Sequence, residues 1–229
     1  MALPSRLIKV WDFGKPWAAQ GLMFATDLLR LMTAELVAGA APYGSHLSLL
    51  DVGAGPGFGT ELLGRLFATN VSGYKIDCTA LELSPQWGRF YPYLHNHAGV
   101  IIGDLFDQPD NSYDIVVSSH VIEHLPRAEV VPFVKKMQSL ARLATIVVCP
   151  WQEGCNRHPA HAYSVDRDLL NELHPDHWEV FHSLGWHNPT GRSRCLGMVF
   201  RQYALPPSPS AQVAWYRGWL AAWRRRTQK

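Results

Sequence analysis

The spacing of apolar residues changes along the chain, and the changes mark its elements. Between Gly21 and Gly39, Leu22, Ala25, Leu28, Leu29, Met32 and Leu36 recur every three or four residues, the pattern of one helical face. The turn APYGS follows. From Leu47 the pattern becomes short, unbroken runs of Val, Ile and Leu: LSLLDV, KIDCTALEL, GVIIGD, SYDIVVSS and ATIVVCP. These predict five strands, and unbroken apolar runs suit strands covered on both faces of a parallel sheet. Between them TELLGRLF, with Leu62, Leu63, Leu66 and Phe67 on one side, PQWGRFYPYL and RAEVVPFVKKMQSLARL read as helices. Pro132 lies early in the last of these, where a missing N–H is tolerated. Strands alternating with helices predict an α/β, Rossmann-like, doubly wound sheet.

After Pro150 the rhythm stops. WQEGCNRHPAHAY is polar, rich in histidine and without period. SVDRDLLNEL predicts a short helix capped by Ser164, with Asp166 and Asp168 in its positive first turn. WEVFHSLGW and CLGMVFRQYA, joined by HNPTGRSR, predict an antiparallel hairpin at the sheet edge. PPSPS is a linker. AQVAWYRGWLAAWRRRTQK is helical again, with Trp215, Trp219 and Trp223 in one stripe and Arg224, Arg225, Arg226 and Lys229 closing it. Its simplest reading is a helix docked on the body with its basic residues at the negative end. Peripheral contact with anionic lipid and a homodimer contact stay open. The expected organisation is an N-terminal helical cap or lid over 1–46, a main domain over 47–204, and a linker with a basic helix over 205–229. Trp11, Phe13 and Trp17 are read either as lid residues or as core packing.

Composition narrows the class. Of 229 residues 47% are hydrophobic and 17% charged, which suits one globular domain with small additions. A formal charge of +2 gives no broad surface for nucleic acid, so that partner is not expected. The start of the chain lacks the continuous apolar core of a signal peptide, and no run nears the roughly 20 apolar residues that span a bilayer. Cys78, Cys149, Cys155 and Cys195 form no disulfide framework. A cytoplasmic location is expected.

The chemistry is read at the carboxyl ends of the strands, where open parallel sheets bind ligands. Strand one ends in Asp51-Val-Gly-Ala-Gly-Pro-Gly57, a loop whose backbone can approach a ligand closely, preceded by a carboxylate that suits cationic groups. Strand two ends in Glu82 and Leu83, strand three in Asp104 and Leu105, and strand four in SSHVIEHLP. An acid ending strand two suits ribose hydroxyls, a feature that dinucleotide enzymes share.

In this order and at this spacing, Asp51 with Gly53, Gly55 and Gly57, then Glu82, then Asp104, then YDIVVSSHVIEHLP resemble the class I S-adenosylmethionine-dependent methyltransferases. The resemblance runs from Leu47 to Pro150 and implies a seven-stranded, mostly parallel sheet. It implies that Gly53, Ala54, Gly55 and Gly57 pass the methionine part of S-adenosylmethionine, with Asp51 ordering the loop and binding the amino group. It further implies that Glu82 holds the ribose hydroxyls, with Leu83 beside it. Asp104 and Leu105 would contact adenine, and Ser119 and His120 would line the floor near the sulfonium.

The resemblance implies methyl transfer and, with this VIEHLP form of strand four and no added nucleic-acid domain, a small molecule, lipid or glycan as acceptor; oxygen is the expected acceptor atom because the crevice rim is rich in histidine. His120, His124, His158 and His161 are the candidate bases, histidine titrating near neutral pH. An NAD(P)-dependent oxidoreductase is an alternative, weakened because Phe58 stands where its third glycine would fall. A non-catalytic protein that binds S-adenosylmethionine is another. Cys155, His158 and His161, with His174 and His177 nearby, have side chains of ligand type but no standard zinc spacing, so no metal is expected.

Overall fold

The computed structural model describes residues 27–29, 31–32, 35, 40–42, 44–68, 74–87, 97–153, 160–182 and 194–203. Among the described residues seven strands follow one another: β1 (His46–Val52), β2 (Lys75–Glu82), β3 (His97–Ile102), β4 (Tyr113–Ser119), β5 (Ala141–Pro150), β6 (His177–His182) and β7 (Arg194–Arg201). Three helices are interspersed: α1 (Phe58–Ala68), α2 (Arg127–Leu140) and α3 (Arg167–Leu173). The sheet order is β3-β2-β1-β4-β5-β7-β6. β1 to β5 pair in parallel, while β7 runs antiparallel to both β5 and β6. The predicted mostly parallel sheet with its antiparallel hairpin is therefore present. The chain steps outward from β1 through β2 to β3, then returns to lay β4 on the other side of β1. That reversal opens a crevice between the carboxyl ends of β1 and β4, the position where folds of this kind bind ligands.

Alternation along the strands divides the interior into two cores. On one face Leu50, Val52, Val116, Val147, Cys149, Leu196, Met198 and Phe200 bury against Val130, Phe133, Val134, Met137 and Leu140 of α2 and Leu169, Leu170 and Leu173 of α3. On the other, Leu47, Leu49, Ile115, Val117, Ile146, Val148 and Val199 bury against Leu28, Leu31, Met32 and Leu63. At roughly 25 cal/mol per Å² of apolar surface removed from water, these two layers are the main favourable contribution to folding.

The buried positions of the helical segment before the sheet are Leu28, Leu31, Met32 and Glu35, spaced i, i+3, i+4, i+7. Glu35 is the departure from the apolar pattern. It accepts from Nε and Nη2 of Arg201 at 2.7 and 2.8 Å and from the Tyr203 hydroxyl at 2.6 Å. A buried carboxylate is tolerable here because a bidentate guanidinium neutralises it.

Several boundaries differ from the sequence pattern. α2 stops at Leu140 and β5 starts at Ala141, three residues before ATIVVCP, with no loop between them. Pro132 is the sixth residue of α2, past the first turn. The helix continues through it because five side chains of its buried face are held by the sheet. Asp166, not Ser164, caps α3, its carboxylate accepting from the N–H groups of Asp168 and Leu169. PQW forms a 3₁₀ turn over Pro85–Trp87, and the rest of that expected helix lies outside the described residues. Trp11, Phe13 and Trp17, and the linker with its basic helix, also lie outside them.

Candidate active site

Two acids, Asp51 and Glu82, and a glycine loop meet at the β1/β4 crevice, while Asp104 follows the edge strand β3. The loop after β1 turns sharply because Gly53 and Gly55 take φ of +72° and +56°, a region that side-chain-bearing residues enter only at a cost. Gly53 also has no room for a side chain: an added Cβ would stand 2.5 Å from Val121 Cγ2. The N–H groups of Gly53 and Ala54 donate to the carbonyl of Leu81, at 2.9 and 3.2 Å, which ties the loop to the end of β2.

Glu82, the last residue of β2, is buried and completes that tie. Its Oε2 accepts from the Gly55 N–H at 2.8 Å and its Oε1 from the Ser84 N–H at 2.9 Å. A carboxylate oxygen has two lone pairs, so each retains one for a further donor such as a ribose hydroxyl. Leu83 beside it is exposed. Asp104 caps the short turn Leu105–Asp107, accepting from Phe106 N–H at 3.0 Å, while Leu105 is buried. Phe106 is an exposed aromatic on the same turn.

Asp51 is buried at the end of β1 and accepts from the Thr60 hydroxyl. Burial pushes its pKa up to about 6; the Thr60 hydrogen bond works against this and the nearby Glu82 charge adds to it. Thr60 was not foreseen. It is fully buried near the start of α1, and a threonine soon after a glycine turn is the sort of short polar signal that sequence patterns pass over.

At the end of β4, Ser118 donates to the carbonyl of Val52 at 3.1 Å, locking β4 to β1. Ser119 Oγ is buried with no hydrogen-bond partner among the described residues. His120 has φ of +58°, backbone strain of the kind that collects at functional sites. Its N–H donates to the carbonyl of Val148 at 2.8 Å, its Nδ1 lies 3.2 Å from Glu123 Oε1, and its Nε2 lies 3.9 Å from Cys195 Sγ. Burial pulls the His120 pKa down, but the Cys195 thiol and the Glu123 carboxylate outweigh it and raise it to about 10.

The chain then makes a short turn over Ile122–His124. The loop after β5 comes back to it: Ala162 N–H donates to the Glu123 carbonyl at 2.7 Å, and Tyr163 Oη to the Ile122 carbonyl at 2.9 Å. His124 Nδ1 faces the Ala160 carbonyl at 3.0 Å and His161 Nδ1 faces a Glu153 oxygen at 2.6 Å. The two rings meet edge to face, 4.9 Å apart. The fold thus brings together Asp51, the glycine loop and Glu82 on one side of the crevice, and Ser119, His120, Glu123, His124 and His161 on the other. Cys155 and His158 lie outside the described residues. Glu123, Glu153 and Cys195 had no assigned role in the sequence reading; only the fold carries the last two to these histidines.

Comparison with known proteins bears on the domain and the fold. The profile described as a methyltransferase domain matches residues 50–147. No curated protein matches the chain. Among solved structures, magnesium protoporphyrin IX methyltransferase from Synechocystis PCC 6803 with bound SAH superposes with a TM-score of 0.56 at 16% identity, covering 79% of this chain and 84% of that one. A putative sarcosine dimethylglycine methyltransferase from Galdieria sulphuraria gives 0.54 at 16% identity, covering 85% and 94%. The [4+2]-cyclase SpnF gives 0.53 at 15% identity, covering 74% and 79%. At such identities the likeness is one of fold.

Proposed function

We propose that the chain is an S-adenosylmethionine-dependent methyltransferase that transfers a methyl group to an oxygen of a small molecule, lipid or glycan, a reading supported by the methyltransferase-domain profile over residues 50–147 and by the likeness of fold. One observation carries the cofactor part. Glu82 is buried and grips the Gly55 N–H, so the acid ending β2 and the glycine loop after β1 form one continuous wall. Such a wall matches a ligand with a ribose next to a compact charged end.

When bound, the cofactor supplies a methyl group already activated on a sulfonium, so the protein's part is to align and to exclude water. Glu82 binds the ribose hydroxyls through its remaining lone pairs. Asp51, at the root of the loop, offers negative charge to the amino group. Asp104 and Leu105 would meet the adenine, and the Ser119 hydroxyl, unpartnered among the described residues, would lie toward the sulfonium end. The oxygen-acceptor reading rests on the gathering of His120, His124, His161 and Glu123 at the rim, with His158 near them in sequence. With Nδ1 of His124 and His161 held as donors by Ala160 and Glu153, the lone pairs of both rings are on Nε2. His120 instead carries a charge-stabilised imidazolium beside Glu123 and is cast as a positioning group rather than a base. No helix among the described residues is long and apolar enough to cross a membrane.

Calorimetry on the whole chain tests the cofactor reading. S-adenosylmethionine is expected to bind and NAD not, and Glu82→Ala is expected to weaken S-adenosylmethionine roughly 10- to 100-fold, in line with loss of hydrogen bonds to a charged group. Tight NAD binding without S-adenosylmethionine binding rejects the proposal. Because the same fold serves a cyclase, turnover is checked separately, by following labelled methyl into hydroxylated acceptors. Incorporation into amines alone would reject the oxygen acceptor.

A further inference from the structure

We propose that Glu123, His124 and His161 bind a divalent metal ion of the zinc type at the rim of the crevice. One ligand-type atom from each of the three lies within 4.8 Å of the others. Two nitrogens and a carboxylate oxygen are the donor set of open, three-ligand metal sites. Ligands about 2.1 Å from zinc stand roughly 3.4 Å from each other, so the cluster closes on an ion by small side-chain rotations.

Two further features make this a built site and not a chance meeting. Glu123 is completely buried, and neither of its carboxylate oxygens has a hydrogen-bond partner among the described residues. His120 Nδ1 comes within 3.2 Å of Oε1 and pairs its charge there, which leaves Oε2 with no hydrogen bond among the described residues. A buried carboxylate oxygen left without a donor is costly, and a coordinating cation would satisfy it. Secondly, each ligand histidine has its Nδ1 anchored, His124 on the Ala160 carbonyl and His161 on the Glu153 carboxylate. Anchoring Nδ1 by a carbonyl or carboxylate fixes the tautomer and ring orientation that metal-binding Nε2 requires. Glu153 and Ala160 flank the loop after β5, and Ala162 pins that loop to the Glu123 backbone.

Three protein ligands leave coordination positions for water or for an oxygen of the acceptor, whose hydroxyl would lose its proton more readily on the ion. That last role rests on the oxygen-acceptor reading above; the metal site does not.

The test uses the full chain stripped with a chelator and dialysed. Zn²⁺ is expected to bind one to one by calorimetry, and Co²⁺ to give visible absorption bands characteristic of nitrogen and oxygen ligands at low coordination number. Glu123→Gln and His161→Ala are each expected to weaken both by tenfold or more. In chelator the Glu123→Gln chain, whose side chain keeps the same shape, is expected to show the wild-type circular dichroism and a cooperative melt, so its loss of metal is not loss of fold. Binding below one ion per chain, equal affinity in the variants, or a response to Mg²⁺ with none to Zn²⁺ or Co²⁺ would overturn the site. S-adenosylmethionine calorimetry in chelator separates the two readings. Cofactor binding without any metal binding rejects the metal alone, whereas metal binding without cofactor binding rejects the methyltransferase reading alone.

Discussion

At the scale of single residues, charge state decides most of the site's behaviour. Asp51 has a pKa of about 6 in the fold against 3.8 for the ordinary side chain. The folded chain therefore holds a proton that the unfolded chain has lost between about pH 4 and 6. The stability from that protonated form is present below pH 4 and is lost as pH rises through 6. Urea denaturation at intervals across this window should show Asp51→Asn gaining on the wild type as pH rises, with the difference flat above pH 7. A difference that does not change with pH would mean that Asp51 is not buried as described. Affinity for the cationic cofactor should move the other way, weakening as the wild-type pH falls below 6. The acids and glycines that carry this behaviour were legible in the sequence because each directly follows an apolar run. Glu123 was visible but mute: its meaning depends on His161, 38 positions away, and on its burial, which spacing does not encode.

At the scale of elements, the glycine loop and the turn after β4 constrain each other. Gly53→Ala must both adopt φ of +72° and push its methyl into Val121. A cost of about 2–4 kcal/mol in chemical denaturation is expected, adding roughly 1 kcal/mol of backbone strain to overpacking. Gly55→Ala, with open space around it, should cost only about 1 kcal/mol. Equal costs for the two would show that the loop and Val121 do not touch. The strands themselves were readable from their Val/Ile/Leu runs. The helix ends were less so. α2 gives way to β5 without a linker because Ala141 and the apolar residues after it are claimed by sheet pairing, a tertiary preference that local propensity does not report. Asp166 displaces Ser164 as the cap for a similar reason: the turn geometry chose between two residues of equal aptitude.

At the scale of the whole molecule, the Glu35–Arg201–Tyr203 group joins the helical segment before the sheet to the end of β7. Arg201→Met should cost about 3–5 kcal/mol, because it leaves Glu35 buried and uncompensated. Adding Glu35→Leu should recover much of that loss, and a double-mutant cycle by denaturation measures the coupling. No sequence pattern could have paired residues 35 and 201, since the partners meet only once the sheet is complete. The position of β7 between β5 and β6 has a further consequence, in the order of synthesis. β5 emerges from the ribosome well before the strand that covers its edge, and at roughly 5–20 residues per second that edge stays open for about 3–10 s. Its Ile146, Val147 and Val148 are the kind of unpaired apolar strand that recruits other chains. A nascent chain halted before Arg194 should therefore be a client of holding chaperones, and one released after Tyr203 should not.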